Sequence, residues 1–195
     1  MNEIRKPGMK LGITGGIGSG KTSVCRVFNV LGIPVFSADQ EAQKIMNSSN
    51  KIIREINKIA GKNLYAHGSL DRMGLASLIF NNPDALKKVN SLVHPVVFEH
   101  FSAWVEDQKT PYVIMENAIL FESGASALVD RIATIIAPVE ERIQRVIQRN
   151  ELSREQVMER IRNQMNDETR IKMSDYVINN SENAIVSWNP GFTGK

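Results

Sequence analysis

One cysteine, Cys25, stands in a chain of 195 residues. An intrachain disulfide and a cysteine-rich metal site are therefore both excluded. In the helical run that holds it, Cys25 reads as a small packing residue rather than a nucleophile. The three histidines, His67, His94 and His100, make no metal-ligand spacing with acids or with Cys25. No apolar run approaches a membrane span, and Met1–Pro7 is charged without an apolar signal core, which argues against secretion. Charge of one sign is also scarce: 24 Lys and Arg against 21 Asp and Glu leave a net charge of +3. That mild basicity suits a handler of anionic substrates and is too weak and dispersed to argue for nucleic acid. There is no internal repeat and no low-complexity segment. The 42% hydrophobic content suffices for a real core, and the length suits one domain with a small inserted or lid segment.

What is present is a phosphate loop. Gly15-Gly16-Ile17-Gly18-Ser19-Gly20-Lys21-Thr22 fits G-x-x-x-x-G-K-[ST]. The apolar run Leu11–Thr14 before it reads as a strand, and Val24 to Leu31 after it as a helix. Glycines let backbone N–H groups turn inward around a polyphosphate, and the helix beginning near Lys21 aims the positive end of its dipole at the anion. The Lys21 ammonium can reach the β- and γ-phosphates, and the Thr22 hydroxyl can ligate Mg²⁺. With Ser23 the nucleotide-binding stretch runs from Gly15 to Ser23. The chain is expected to bind ATP or GTP, and a cytoplasmic enzyme is the corresponding expectation. The loop alone does not say what receives the phosphate.

Taken in order, Met9–Thr14 is apolar without alternation and reads as a central strand buried on both faces. The helix Lys21–Leu31 is expected to close at Gly32. Ile33–Phe36 follows as a short strand with Pro34 at its start. Asp39 lies just past that strand's carboxyl end, the edge at which open α/β sheets bind ligands; it reads equally well as the cap of a helix Gln40–Met46. Further helices are expected over Asn50–Ala60 and Leu70–Phe80. Asn82-Pro83-Asp84 is a strong helix start, its buried face assigned to Leu86, Val89, Leu92 and Val93, with a break or kink at His94-Pro95. Pro111–Met115 and Arg131–Ala137 read as strands three and four, and Asp175–Ile178 as strand five. Pro138–Arg149 is a helix whose apolar face, Ile143, Val146 and Ile147, runs beside a row of Arg142, Arg145 and Arg149. Ser153 and Gln156 form a capping box that opens a polar helix, Arg154–Met165. Most of these arginines read as a solvated face, although a closing kinase lid uses such arginines on transferred phosphate. The tail beyond Glu182 is sparse and expected to be weakly ordered.

The words Thr14–Lys21, Ala38-Asp39, Leu92-Val93-His94-Pro95, Ile119-Leu120-Phe121-Glu122, Gln148-Arg149 with Ser153-Arg154-Glu155, and Asp175-Tyr176-Val177-Ile178 together resemble the dephospho-CoA kinase family, from Leu11 to Asn180. The resemblance implies an α/β P-loop kinase fold: a five-stranded parallel sheet flanked by helices, a helical CoA-side subdomain and an arginine-rich helical lid. The core is assigned to 9–50, 110–137 and 175–180, the subdomain to about 51–106 and the lid to about 142–172 of a single domain. It also implies the reaction, transfer of phosphate from ATP to the 3′-hydroxyl of the dephospho-CoA ribose, with dephospho-CoA and ATP as partners and Mg²⁺ as cofactor. Carried onto matching positions, Asp39 is the base or hydroxyl-orienting acid, Arg145 a phosphate clamp, and His94 and Glu122 lie near the acceptor. The chain departs from the family at Ser37, where an acid is usual, at Ala118, where proline is common, and in Ser181–Lys195, where no C-terminal helix is evident.

Two other readings stand beside this one. A nucleoside monophosphate kinase or another small-molecule kinase would share the loop and the lid. A nucleotide switch would carry a guanine-reading Asn-Lys-x-Asp word, and the nearest stretch, Asn57-Lys58-Ile59-Ala60, lacks the acid. The sequence leaves open the oligomeric state, and whether Glu116, Asp39 or water meets Mg²⁺ from a second side.

Overall fold

The computed structural model describes residues 8–66, 68–80, 82–150 and 152–182. The expectations for Met1–Pro7, His67 and the chain beyond Glu182 lie outside these residues. The element order is β1 (Met9–Thr14), α1 (Lys21–Val30), β2 (Val35–Ser37), α2 (Ala38–Ser48), α3 (Asn50–Ala60), α4 (Arg72–Phe80), α5 (Pro83–Glu106), β3 (Tyr112–Glu116), a 3₁₀ turn (Ala125–Leu128), β4 (Arg131–Ile136), α6 (Val139–Asn150), α7 (Arg154–Arg162), α8 (Asp167–Met173) and β5 (Tyr176–Asn179). The strands form one sheet in the order β2-β3-β1-β4-β5. Strand β1 pairs in parallel with β3 and β4, and β4 with β5. None of the described helices is long and apolar enough to cross a membrane. The chain divides into two compact units, one of Met1–Phe36 with Val105–Lys195 and one of Ser37–Trp104.

In the first unit β1 is central, and Leu11–Thr14 is buried, whereas Met9, at 44% exposure, and Lys10 are not. Leu11 and Ile13 pack with Ile114, Ala133 and Ile135, and Cys25 of α1 closes the cluster. Burial, then the Glu116 carboxylate, push the Cys25 thiol up to about 12, against the opposing pull of Lys21, so it stays protonated and inert. Helix α1 ends in a Schellman motif: Ile33 N–H donates to the Phe28 carbonyl and Gly32 N–H to Asn29. A second, smaller core joins α6 and α7 through Ile143, Val146 and Val157. The capping box forms, with Ser153 and Gln156 bonded reciprocally. Helix α7 stops at Arg162, three residues short of the expected end, because Asn166 caps a separate helix, α8, accepting from Thr169 N–H at 2.8 Å.

In the second unit the expected start of α5 is found: Asn82 Oδ1 accepts from Ala85 N–H at 3.0 Å, with Pro83 at the first helical position. Of the break or kink expected at His94-Pro95, the break does not occur: α5 runs through Pro95. A proline there costs about 3 kcal/mol or more. Val89, Val93, Val97 and Phe101, buried at intervals of four, each contribute about 1.5–3 kcal/mol, and that stripe holds the helix together across the defect. Leu86 does not join it: at 39% exposure it faces outward, and Ala85 takes the buried position. Helix α4 begins two residues late, at Arg72, because Asp71 caps it through Gly74 N–H. Helix α2 begins at Ala38, with Ser37 at the cap position. Asp39 is thus inside the first turn rather than at the cap.

Candidate active site

The register of the sheet builds the site. Ile13 stands opposite Glu116, so the end of β3 lies beside the point where β1 opens into the phosphate loop. Helix α1 then starts at Lys21, and its next residue, Thr22, donates from Oγ1 to Glu116 Oε1 at 2.7 Å. Glu116 is 7% exposed, a buried carboxylate stabilised by a hydroxyl donor. Lys21 Nζ donates to the Gly15 carbonyl at 2.7 Å, which holds the ammonium across the loop. Ser19 is buried with its hydroxyl unpartnered. Asn180, the residue after β5, donates from Nδ2 to the Ser19 carbonyl at 2.9 Å.

Arg145 on α6 reaches the same place. Its Nη2 donates to Glu141 at 2.9 Å and to the Asn180 carbonyl at 3.0 Å, while Nη1 is buried without a partner. Arg142, in the row that the sequence leaves between a solvated face and a lid, is 3% exposed. It donates from Nε to the Ile17 carbonyl and from Nη1 to Asp167, each at 2.8 Å. Asp167 also accepts from Arg170 Nη1 at 3.0 Å, and Arg170, 1% exposed, pairs with Glu122 at 3.7 Å. Two cations and two anions so alternate along one chain of contacts, which is what makes two buried guanidinium groups tolerable. Burial lowers the Arg142 pKa, and Asp167 opposes that effect. Arg160 and Arg162 are exposed, as read from the sequence, and exposed Arg154 pairs with Glu140.

The structure therefore gathers Gly15–Thr22, Glu116, Arg145 and Asn180 at the carboxyl edge of the sheet, and places Glu122 in the Arg170–Asp167–Arg142 chain. Within the other unit, Asp39 is exposed in the first turn of α2. His94 is half-buried on α5, its ring stacked on Phe98 at 6.1 Å, and burial lowers its pKa, which favours neutral imidazole. Glu116 is legible in the sequence as an acid closing a buried strand. Arg142 and Asn180 carry no such signal as site residues, because their partners are remote along the chain.

The family model for dephospho-CoA kinase matches residues 9–185. The chain belongs to the dephospho-CoA kinase family. Relatives agree: a dephospho-CoA kinase of Bacteroides fragilis is 38% identical over 180 residues, covering 91% of this chain and 88% of its own. One of Fusobacterium nucleatum is 34% identical over 177 residues, covering 90% and 91%. Among solved structures, a Thermus thermophilus protein superposes with a TM-score of 0.82 at 34% identity over 91% of each chain. A dephospho-CoA kinase from Campylobacter jejuni gives 0.64 at 28% identity, covering 89% of this chain and 88% of its own. The P-loop kinase fold implied by the sequence is thus the fold of this dephospho-CoA kinase family member.

Proposed function

We propose that this protein transfers the γ-phosphoryl group of ATP to the 3′-hydroxyl of the dephospho-CoA ribose, giving CoA and ADP, the last step of CoA biosynthesis. The observation that carries this reading is the phosphate loop with Thr22 bonded to Glu116, in a chain of the dephospho-CoA kinase family. Lys21 exchanges its bond to the Gly15 carbonyl for the β- and γ-phosphates. Arg145 offers its unpartnered Nη1 to the transferred group. Charge already in place where the transition state develops its own contributes more to phosphoryl transfer than any other single effect. Asp39 orients the ribose hydroxyl and takes its proton late, since a carboxylate cannot deprotonate a ribose hydroxyl in the ground state. That role rests on the Ala38-Asp39 word and on its place just past β2. His94 and Glu122 are assigned to the acceptor side on the same family resemblance.

The residues fit Mg²⁺. Thr22 and Glu116 supply two hard oxygens side by side, and no cluster of three or more His, Cys, Asp or Glu ligands occurs among the described residues. Mg²⁺ is ordinarily held in this way, by one or two protein oxygens together with phosphate oxygens and water. When bound it neutralises charge on the β- and γ-oxygens. Thr22 would ligate it and Glu116 would hold Thr22 or a bound water. We place the enzyme in the cytoplasm, where ATP is available. ADP release measured with dephospho-CoA, with nucleoside monophosphates and without acceptor tests the proposal: release that depends on dephospho-CoA supports it, and release with a nucleoside monophosphate alone overturns it.

A further inference from the structure

We infer that Ile17 latches the phosphate loop to the α6–α8 segment, and that Gln164 and Arg142 are positioning residues that set the loop's shape for the nucleotide. All three handles of Ile17 go to that segment. Its N–H donates to Gln164 Oε1, in the link between α7 and α8, at 2.8 Å. Its carbonyl accepts from Arg142 Nε at 2.8 Å. Its side chain packs on the Ile143, Val146 and Val157 cluster of α6 and α7. The tip of the loop is thereby an outwork of the second core rather than a free turn.

Two glycines mark how tightly the fit is made. A Cβ on Gly16 would collide with the Arg142 guanidinium, and one on Gly18, where φ is +77°, would collide with the Arg142 backbone. These positions need glycine for a protein neighbour as well as for a phosphate. Arg142 is itself fixed. Nη1 is held by Asp167 and Nε by Ile17, so the guanidinium ties the loop backbone to α8. A loop whose N–H groups must converge on phosphate within a few tenths of an ångström gains by being pinned before the nucleotide arrives.

The inference rests on the nucleotide-binding part of the proposed function and not on the identity of the acceptor. Calorimetric titration of the full chain with Mg-ATP, without acceptor, keeps the two apart. Gln164→Met removes the acceptor atom at nearly constant length, and Ile17→Ala removes the docked side chain. Each is expected to weaken ATP binding about tenfold, which is about 1.4 kcal/mol, with the fold kept and Tm lowered by no more than about 5 °C. Ile17→Val, which keeps most of the docked side chain, should recover most of the affinity that Ile17→Ala loses. Because both changes release one latch, the double variant should fall well short of the roughly hundredfold loss that independent sites give. An unchanged Kd in Gln164→Met, or a full hundredfold loss in the double variant, would overturn the latch.

Discussion

Replacing Glu116 by glutamine alters one charge and almost no volume. The Thr22 hydroxyl, 2.7 Å from Glu116 Oε1, can still donate to the amide oxygen. A hydrogen bond to a charged acceptor contributes about 1.5–3 kcal/mol and one to a neutral acceptor about 0.5–1.5, so the contact loses about 1 kcal/mol. Against this, the variant no longer buries a carboxylate that is 7% exposed, and relief of that desolvation offsets the loss or exceeds it. Glu116→Gln should therefore fold with wild-type stability or slightly better. Its Mg²⁺ response should differ. A partner that orients a metal ligand typically contributes about 10–100-fold to metal affinity, so the half-saturating Mg²⁺ concentration should rise by about that factor, with much of kcat recovered at high Mg²⁺. The assay is ADP formation at fixed ATP and dephospho-CoA with Mg²⁺ titrated, and a melting curve on the same sample. A wild-type Mg²⁺ response in a folded variant would refute the reasoning and leave Glu116 as a plain anchor for Thr22.

Asp39→Asn should lower kcat by about 10²–10⁴-fold; a pure first-turn dipole role, worth about 0.3–1 kcal/mol, would instead appear in the melting curve with kcat intact. Arg145→Lys should cost about 10–100-fold in kcat/KM, because a point charge cannot keep the Glu141 and Asn180 contacts and also reach a phosphate oxygen; an equal loss in exposed Arg162→Ala would remove the clamp assignment. For His94 the folded pKa lies below the unfolded one, through burial, so its contribution to stability is complete above about pH 6.5 and is lost as pH falls towards the folded pKa. Tm should consequently drop more between about pH 7.5 and 5.5 in the wild type than in His94→Phe, and parallel curves would contradict this.

The parts of the molecule that can be read from the sequence are those whose causes are local. The phosphate loop is eight contiguous residues; the Asn82 cap and the Ser153 box each act within three positions. The misreadings have remote causes. Pro95 is a helix breaker by local rules, and only the stripe from Val89 to Phe101, visible once folded, outweighs it. Arg142 looks like a surface arginine because its partners, Ile17 and Asp167, are 125 and 25 residues away. Helix α8 carries Asp167, Glu168, Arg170 and Lys172 in seven residues, too polar and short to show a periodic face. Asp39 is ambiguous in sequence because Ser37, two residues earlier, is an equally good cap.

The central claim is a regiospecific phosphoryl transfer, and one product analysis addresses it. The purified protein is incubated with Mg-ATP and dephospho-CoA, and the product is examined by mass spectrometry and ³¹P NMR, beside a Lys21→Ala control. One added phosphoryl group is expected on the ribose 3′-hydroxyl, formed with ADP, and none in the control. ADP formed without a phosphorylated acceptor, phosphate at another hydroxyl, or product from Lys21→Ala at the wild-type rate would contradict it.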